Sequence, residues 1–190
     1  EGYLGDPAKV KLLPGAAGAI AALRGLGYRI IVVSNQSGVA RGMFQEAAVE
    51  AVNQEMCRQL QAEGGAEARI DASYYCPYHP KATVEEFRQD HPWRKPKPGM
   101  LLQAAEDFQL DLARSWMIGD MQRDIAAGVA VGCRTILVQD PALRDSEATK
   151  SEARATHGAE AGGEKDRAER GVGTPHFVVQ TLAEAARVVA

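Results

Sequence analysis

Residues 28–34 read YRIIVVS, and no other stretch restricts the fold of this chain more. The run is short and its centre, 30–33, is β-branched and apolar without a break, so as a strand it needs cover on both faces. The flanking segments can supply that cover. Pro14 and Gly15 open a helical pattern with Ile20, Leu23 and Leu26 on one face and Gly27 behind it, proline in the first turn and glycine past the last. Residues 46–63 predict a second helix, striped by Val49, Val52, Met56 and Leu60. Further short apolar runs predict strands at 69–75, 116–118, 134–138 and 176–179. Helical patterns lie between or after them: from Pro98 through Leu101, Ala104 and Phe108, over 124–130, and over 182–189. Helices alternating with short apolar strands predict an α/β fold, a doubly wound parallel sheet with helices on both faces. No internal repeat is present.

At 190 residues the chain fits one domain, expected over 1–190. Two segments break the alternation. Residues 76–97 are rich in Pro, His and charge and read as an irregular loop, expected to act as a small cap element over a site. Residues 141–174 hold Ala, Glu, Gly, Arg, Ser and Lys with almost no large apolar side chain, too little to offset ordering entropy, so about 143–172 are expected to be a disordered insertion. The formal net charge of -3 gives no global basic field, so nucleic acid is not an expected partner. The three cysteines are scattered and cannot pair completely, which favours a reducing, cytoplasmic compartment. No apolar run reaches the ~18 residues of a membrane helix, and neither a leader nor a membrane partner is expected.

In parallel α/β sheets, ligands bind beyond the carboxyl ends of the strands. Three polar groups fall at or near such places: Ser34-Asn35, Arg94-Lys95 and Gly119-Asp120. Taken singly, the first reads as a turn, the second as solvated surface and the third as a strand-end cap. Taken together they supply what phosphate-ester chemistry requires. A hydroxyl and backbone N–H groups can hold phosphoryl oxygens, a lysine can neutralise their charge, and carboxylates suit Mg²⁺.

The order strand-Ser-Asn, Arg-Lys-Pro, strand-Gly-Asp-x-x-x-Asp resembles motifs II, III and IV of the haloacid dehalogenase (HAD) phosphatase superfamily. The longer strings SNQSGVARG (34–42), YYCPYHP (74–80), VEEFRQ (84–89) and RKPKPGML (94–101) resemble its D-glycero-D-manno-heptose 1,7-bisphosphate 7-phosphatases, whose histidinol-phosphatase relatives share much of this. The resemblance spans nearly the whole chain outside 141–174. It implies a Mg²⁺-dependent phosphomonoesterase, taking the 7-phosphate from the heptose bisphosphate on the way to ADP-heptose, with a small phosphorylated sugar as partner and a monomeric state. It further implies that Ser34 holds phosphoryl oxygens, that Lys95 neutralises the group and orients the nucleophile, and that Arg94 recognises the substrate's anionic end. Asn35, Gln36, Ser37, Gly2 and Tyr3 would line the substrate pocket. Asp120 would bind Mg²⁺, with Asp124 supporting the site behind it. A histidinol-phosphate phosphatase is the nearest alternative, and a non-catalytic sugar-phosphate binder or inactive fragment the alternative of another class.

Two departures from the family pattern stand out. The Asp-x-Asp-Gly motif, whose aspartates are the family's nucleophile and general acid–base, does not occur. The chain begins just past its expected place, so the first central strand is expected to be missing from the given chain, which alone should be inactive. The family's zinc loop uses Cys-x-His and Cys-x-Cys. Here Cys76 matches the first ligand, but Tyr78, His91 and Trp93 stand at the other three positions. Cys76, His79 and His91 still lack a fourth partner for a closed tetrahedral site, so zinc is not expected. Pro77, Pro80 and Pro92 would stiffen the loop instead.

Overall fold

The computed structural model of the chain describes residues 3–141 and 173–190. Gly2 and the expected insertion at 143–172 lie outside the described residues. Among the described residues, five strands form two parallel sheets. In the first, β1 (Ile31–Asn35) pairs with β2 (Ala72–Cys76), Ile31 opposite Ala72 and Asn35 opposite Cys76. The second has the order β3 (Trp116–Gly119), β4 (Arg134–Val138), β5 (Phe177–Val179). The ladders are parallel, as expected, and among the described residues they fall into two groups that share no pairing, with no strand between β1 and β3.

The helices are α1 (Ala16–Gly25), α2 (Ser37–Ala40), α3 (Glu46–Gly64), α4 (Gly99–Phe108), α5 (Gln122–Ala130) and α6 (Leu182–Val189). Each sheet has helices on both faces, reached by successive side chains that point to opposite sides of a strand. On β2, the Tyr74 hydroxyl donates to Asp107 of α4 at 2.5 Å, while the neighbouring Tyr75 hydroxyl reaches Glu46 of α3 at 3.0 Å. In the second sheet Trp116, Ile118, Ile136 and Val138 face Ala185, Leu182, Val188 and Val189 of α6. Met117 and Thr135 face α5 instead, which lies so close that a Cβ on Gly128 would come within 2.5 Å of Met117 Cβ. Only glycine permits that approach.

Helix α1 joins the halves. Its Ala17 and Ile20 pack with Leu60 and Ala68, and partly buried Ile30 and Ile70, on the side of the first sheet. Its Ala19 and Leu23 pack with Ala186 of α6, and with both Ile30 before β1 and Ile118 in β3. Leu26, expected on this apolar face, is 50% exposed, because the helix ends at Gly25 and the chain turns at Gly27 with φ +88°. Just beyond Ser34-Asn35, whose residue types read as a turn, Ser37–Ala40 form the short helix α2, all four of whose residues are buried.

Candidate functional site

Strand β1 delivers Ser34 and Asn35 at its carboxyl end, and the chain turns straight into α2. Gln36 Nε2 donates to Ser34 Oγ at 3.1 Å. The Asn35 amide is engaged at both its atoms: its Oδ1 accepts from Lys95 N at 3.0 Å and its Nδ2 donates to Lys95 O at 3.0 Å. This two-pronged bracket pins the backbone of Lys95, sixty positions away in sequence, to the end of β1.

The side chain of Lys95 runs into the space between the two sheets. Its Nζ donates to the carbonyl of Val33 at 2.7 Å and lies 2.7 Å from Asp124 Oδ1. Both members of the ion pair are nearly buried, at 10% and 5% side-chain exposure. Asp124 Oδ1 meets no donor at a hydrogen-bonding angle, so the contact is an ion pair more than an aligned hydrogen bond. Its Oδ2 accepts from Met121 N at 3.1 Å, the back-bond of an acidic residue in the first turn of a helix. Gly119 makes room for this: a Cβ there would lie 2.4 Å from Asp124 Cβ and 2.6 Å from Oδ2.

Asp120 follows Gly119 at the end of β3. The residue keeps an open side to solvent, yet surrounding atoms withdraw enough water that burial, and then the charge of Asp124, push its pKa up. Its own backbone, Arg123 and Lys95 pull the other way. A carboxylate held above its ordinary range by lost hydration and a like charge gains most from a hard cation. The donor chemistry of Asp120 fits Mg²⁺. Asp124, with one oxygen on Lys95 and the other on an amide, fits a supporting place behind it.

The loop from Cys76 to Lys97 closes over the other side. Arg94 Nη1 donates to the buried Ser37 Oγ at 2.8 Å and to the carbonyl of Tyr78 at 3.4 Å. Thr83 N and Val84 N both donate to Ala40 O, at 2.9 and 3.0 Å, which seats the loop on α2. Beyond α2, the guanidinium of Arg41 sits 5.6 Å from the Tyr3 ring centre. Phe44 is wedged against Gly5 and Gly38, where a Cβ on either would come within 2.3 Å of its ring.

Cys76, His79 and His91 do not converge: no group of three or more His, Cys, Asp or Glu side chains forms a metal-holding cluster among the described residues. Cys76 Sγ instead points to Tyr78 O at 3.8 Å. His79 Nδ1 accepts from Lys81 N and His91 Nδ1 from Trp93 N. Sequence reasoning missed two participants. The Val33 carbonyl is a backbone group with no sequence signal. The steric role of Gly119 was legible only as a glycine before an aspartate at a strand end.

The Lys95 ammonium and the Asp124 carboxylate therefore join the end of β1, which carries Ser34, to the end of β3, which leads into Asp120, while Arg94 lies on Ser37 of α2. Residues 1–132 match the family model described as haloacid dehalogenase-like hydrolase. The chain belongs to the haloacid dehalogenase-like hydrolases. Residues 92–185 match a second model of the same group, HAD-hydrolase-like.

Among its relatives is the D-glycero-β-D-manno-heptose-1,7-bisphosphate 7-phosphatase of Rhodopseudomonas palustris. It is 41% identical over 130 residues, which are 68% of this chain and 71% of the relative. The protein of that name from Escherichia coli K12 is 40% identical over 135 residues, 71% of this chain and 69% of the relative. Of solved structures, the D,D-heptose 1,7-bisphosphate phosphatase of B. bronchiseptica, complexed with magnesium and phosphate, is 29% identical with a TM-score of 0.72. That alignment covers 98% of this chain and 88% of that one. A HAD-like phosphatase from Mesorhizobium loti is 30% identical, also at 0.72, covering 100% of this chain and 80% of that one. The parallel α/β architecture is that of the HAD-like phosphatases, and this family member is an enzyme of that kind.

Proposed function

We propose that the protein is a Mg²⁺-dependent phosphomonoester hydrolase that removes the 7-phosphate of D-glycero-D-manno-heptose 1,7-bisphosphate, supplying ADP-heptose biosynthesis. The observation that carries this reading is Lys95. Its ammonium stands between the β1 carbonyl of Val33 and the β3-side carboxylate of Asp124, 2.7 Å from each, so it ties the two strand ends into one anion-binding point.

In this reading, Ser34 donates its hydroxyl hydrogen to a phosphoryl oxygen, since its oxygen already accepts from Gln36. Lys95 has one N–H beyond the two contacts described, and directs it at the phosphoryl group, neutralising charge that grows in the transition state. Arg94 takes the substrate's distal anionic group, with Ser37 beneath it. Gln36 and Tyr3 line the sugar pocket, and Asn35 acts by holding the Lys95 backbone. Asp120 would hold Mg²⁺, which when bound supplies charge neutralisation and alignment of the phosphate. The sequence contains no Asp-x-Asp pair, so these residues position and neutralise the phosphoryl group without furnishing the family's carboxylate nucleophile. The loop over 76–97 serves as the cap of a single domain. Three cysteines free of disulfides fit a cytoplasmic setting.

The test is phosphate release from the heptose bisphosphate by the protein expressed from its complete reading frame, with and without Mg²⁺, histidinol phosphate alongside. Release should require Mg²⁺, favour the heptose, and fall at least about a hundredfold in Asp120→Asn and in Lys95→Ala. Faster release from histidinol phosphate would reassign the substrate. No release from any phosphomonoester by the folded protein would leave a sugar-phosphate binder.

A further inference from the structure

The loop over the site is organised by rings. Tyr78 and His91 stack at 4.4 Å with only 17° between their planes. Phe87 leans on Tyr78 at 5.8 Å, and Trp93 meets His91 edge-on at 6.0 Å. Trp93 in turn meets Tyr74 of β2 edge-on at 6.0 Å, which anchors the ladder to the first sheet.

Both ends of Arg94 are attached to the two stacked residues. Its backbone N–H donates to the carbonyl of His91 at 3.1 Å. Its guanidinium donates to the carbonyl of Tyr78 at 3.4 Å and to Ser37 Oγ at 2.8 Å. A long side chain with five N–H donors samples many rotamers unless its base and its tip are both held. Tyr78 and His91 lie thirteen positions apart in a loop with one short 3-10 turn (Glu85–Phe87), so the face-to-face contact of their rings fixes the separation of these two carbonyls. His91 contributes its ring to this stack while its Nδ1 accepts from Trp93 N at 3.1 Å.

We infer that the Tyr78–His91 ring stack is a positioning device that holds the Arg94 guanidinium on Ser37 and so sets recognition of the substrate's second anionic group. This rests on the phosphatase reading of the site. Neither ring touches substrate; both act through Arg94. Ring shape, and not imidazole chemistry, is what the position of His91 requires.

Two readouts test it on the protein expressed from its complete reading frame. The first needs no substrate: rotation about the Arg94 Nε–Cζ bond, followed by nitrogen NMR of the guanidinium. It should be hindered in the wild type and in His91→Phe, and free in His91→Ala and Tyr78→Ala. The second is kinetic. With the heptose bisphosphate, His91→Ala should raise KM about tenfold while kcat changes much less, and His91→Phe should restore KM. In an Arg94→Ala background, His91→Ala should add nothing further. His91→Phe keeps a packed ring, so it separates lost positioning from lost folding. Equal hindrance of Arg94 in wild type and His91→Ala, or a KM that ignores the ring, would overturn the inference. A wild type that hydrolyses no phosphomonoester yet shows the NMR pattern would overturn the phosphatase reading and leave Arg94 positioned for an anion of another kind.

Discussion

Lys95 and Asp124 form a charged pair from which water is nearly excluded, and such a pair responds asymmetrically to substitution. Replacing both by apolar residues of similar volume is often close to neutral, whereas removing one partner strands the other charge. Asp124→Ala is expected to destabilise the protein by about 3–5 kcal/mol, and Lys95→Met by a comparable amount. The double variant Lys95→Met/Asp124→Leu should recover most of that loss, as read from urea denaturation in a double-mutant cycle. Gly119→Ala tests the same pair from underneath. Its new Cβ would overlap Asp124, 2.4 Å from that residue's Cβ. It should cost about 1–3 kcal/mol and lower phosphatase turnover, because Asp124 must leave Lys95 to make room.

At the scale of elements, neighbouring side chains of β2 tie it to helices on opposite faces of the sheet. Burial, then the hydrogen bond and charge of Asp107, push the Tyr74 hydroxyl up to about 12. Burial, with Glu46 behind it, does the same for Tyr75. A tyrosine whose folded pKa exceeds its unfolded value of ~10 contributes stability that is fully present below pH 10 and is lost as pH rises towards 12. Asp107 shifts the other way, held low by Tyr74 and Gln103, so its contribution is present above its ordinary value and lost as pH falls through the folded one. Tyr74→Phe should therefore flatten the decline of stability between pH 10 and 12 and soften the acid limb. Urea midpoints across both ranges check this; an unchanged alkaline slope would refute it. The ring ladder of the loop belongs to this scale too, its pairs worth about 0.5–1.5 kcal/mol each beyond their burial.

For the whole molecule, the decisive element is α1, whose Leu23 packs against residues beside both sheets. Leu23→Ala should destabilise by about 2–5 kcal/mol and, since both halves share that contact, thermal unfolding should remain a single transition at a lower midpoint. Two separated transitions would mean that the sheets are coupled less than the packing implies. The alternation of strands and helices was legible in the sequence, because apolar, β-branched runs and 3.6-residue stripes are local patterns. The residue types of the site were legible for a similar reason: Ser34-Asn35, Arg94-Lys95 and Gly119-Asp120 are short strings next to elements that can be recognised. Local pattern also misled. The polar string after Ser34 folds as buried α2, and Leu26 lies outside the apolar face its spacing suggests. What only the tertiary structure decided is a matter of distance along the chain. That Asn35 grips the Lys95 backbone, that the ammonium lies between Val33 and Asp124, and that Tyr78 stacks on His91 all depend on through-space contacts. Sequence patterns encode which residues can form an element. Which elements then place their polar ends together follows from packing the apolar faces of α1, α3 and α6, and that is settled only when the chain is folded.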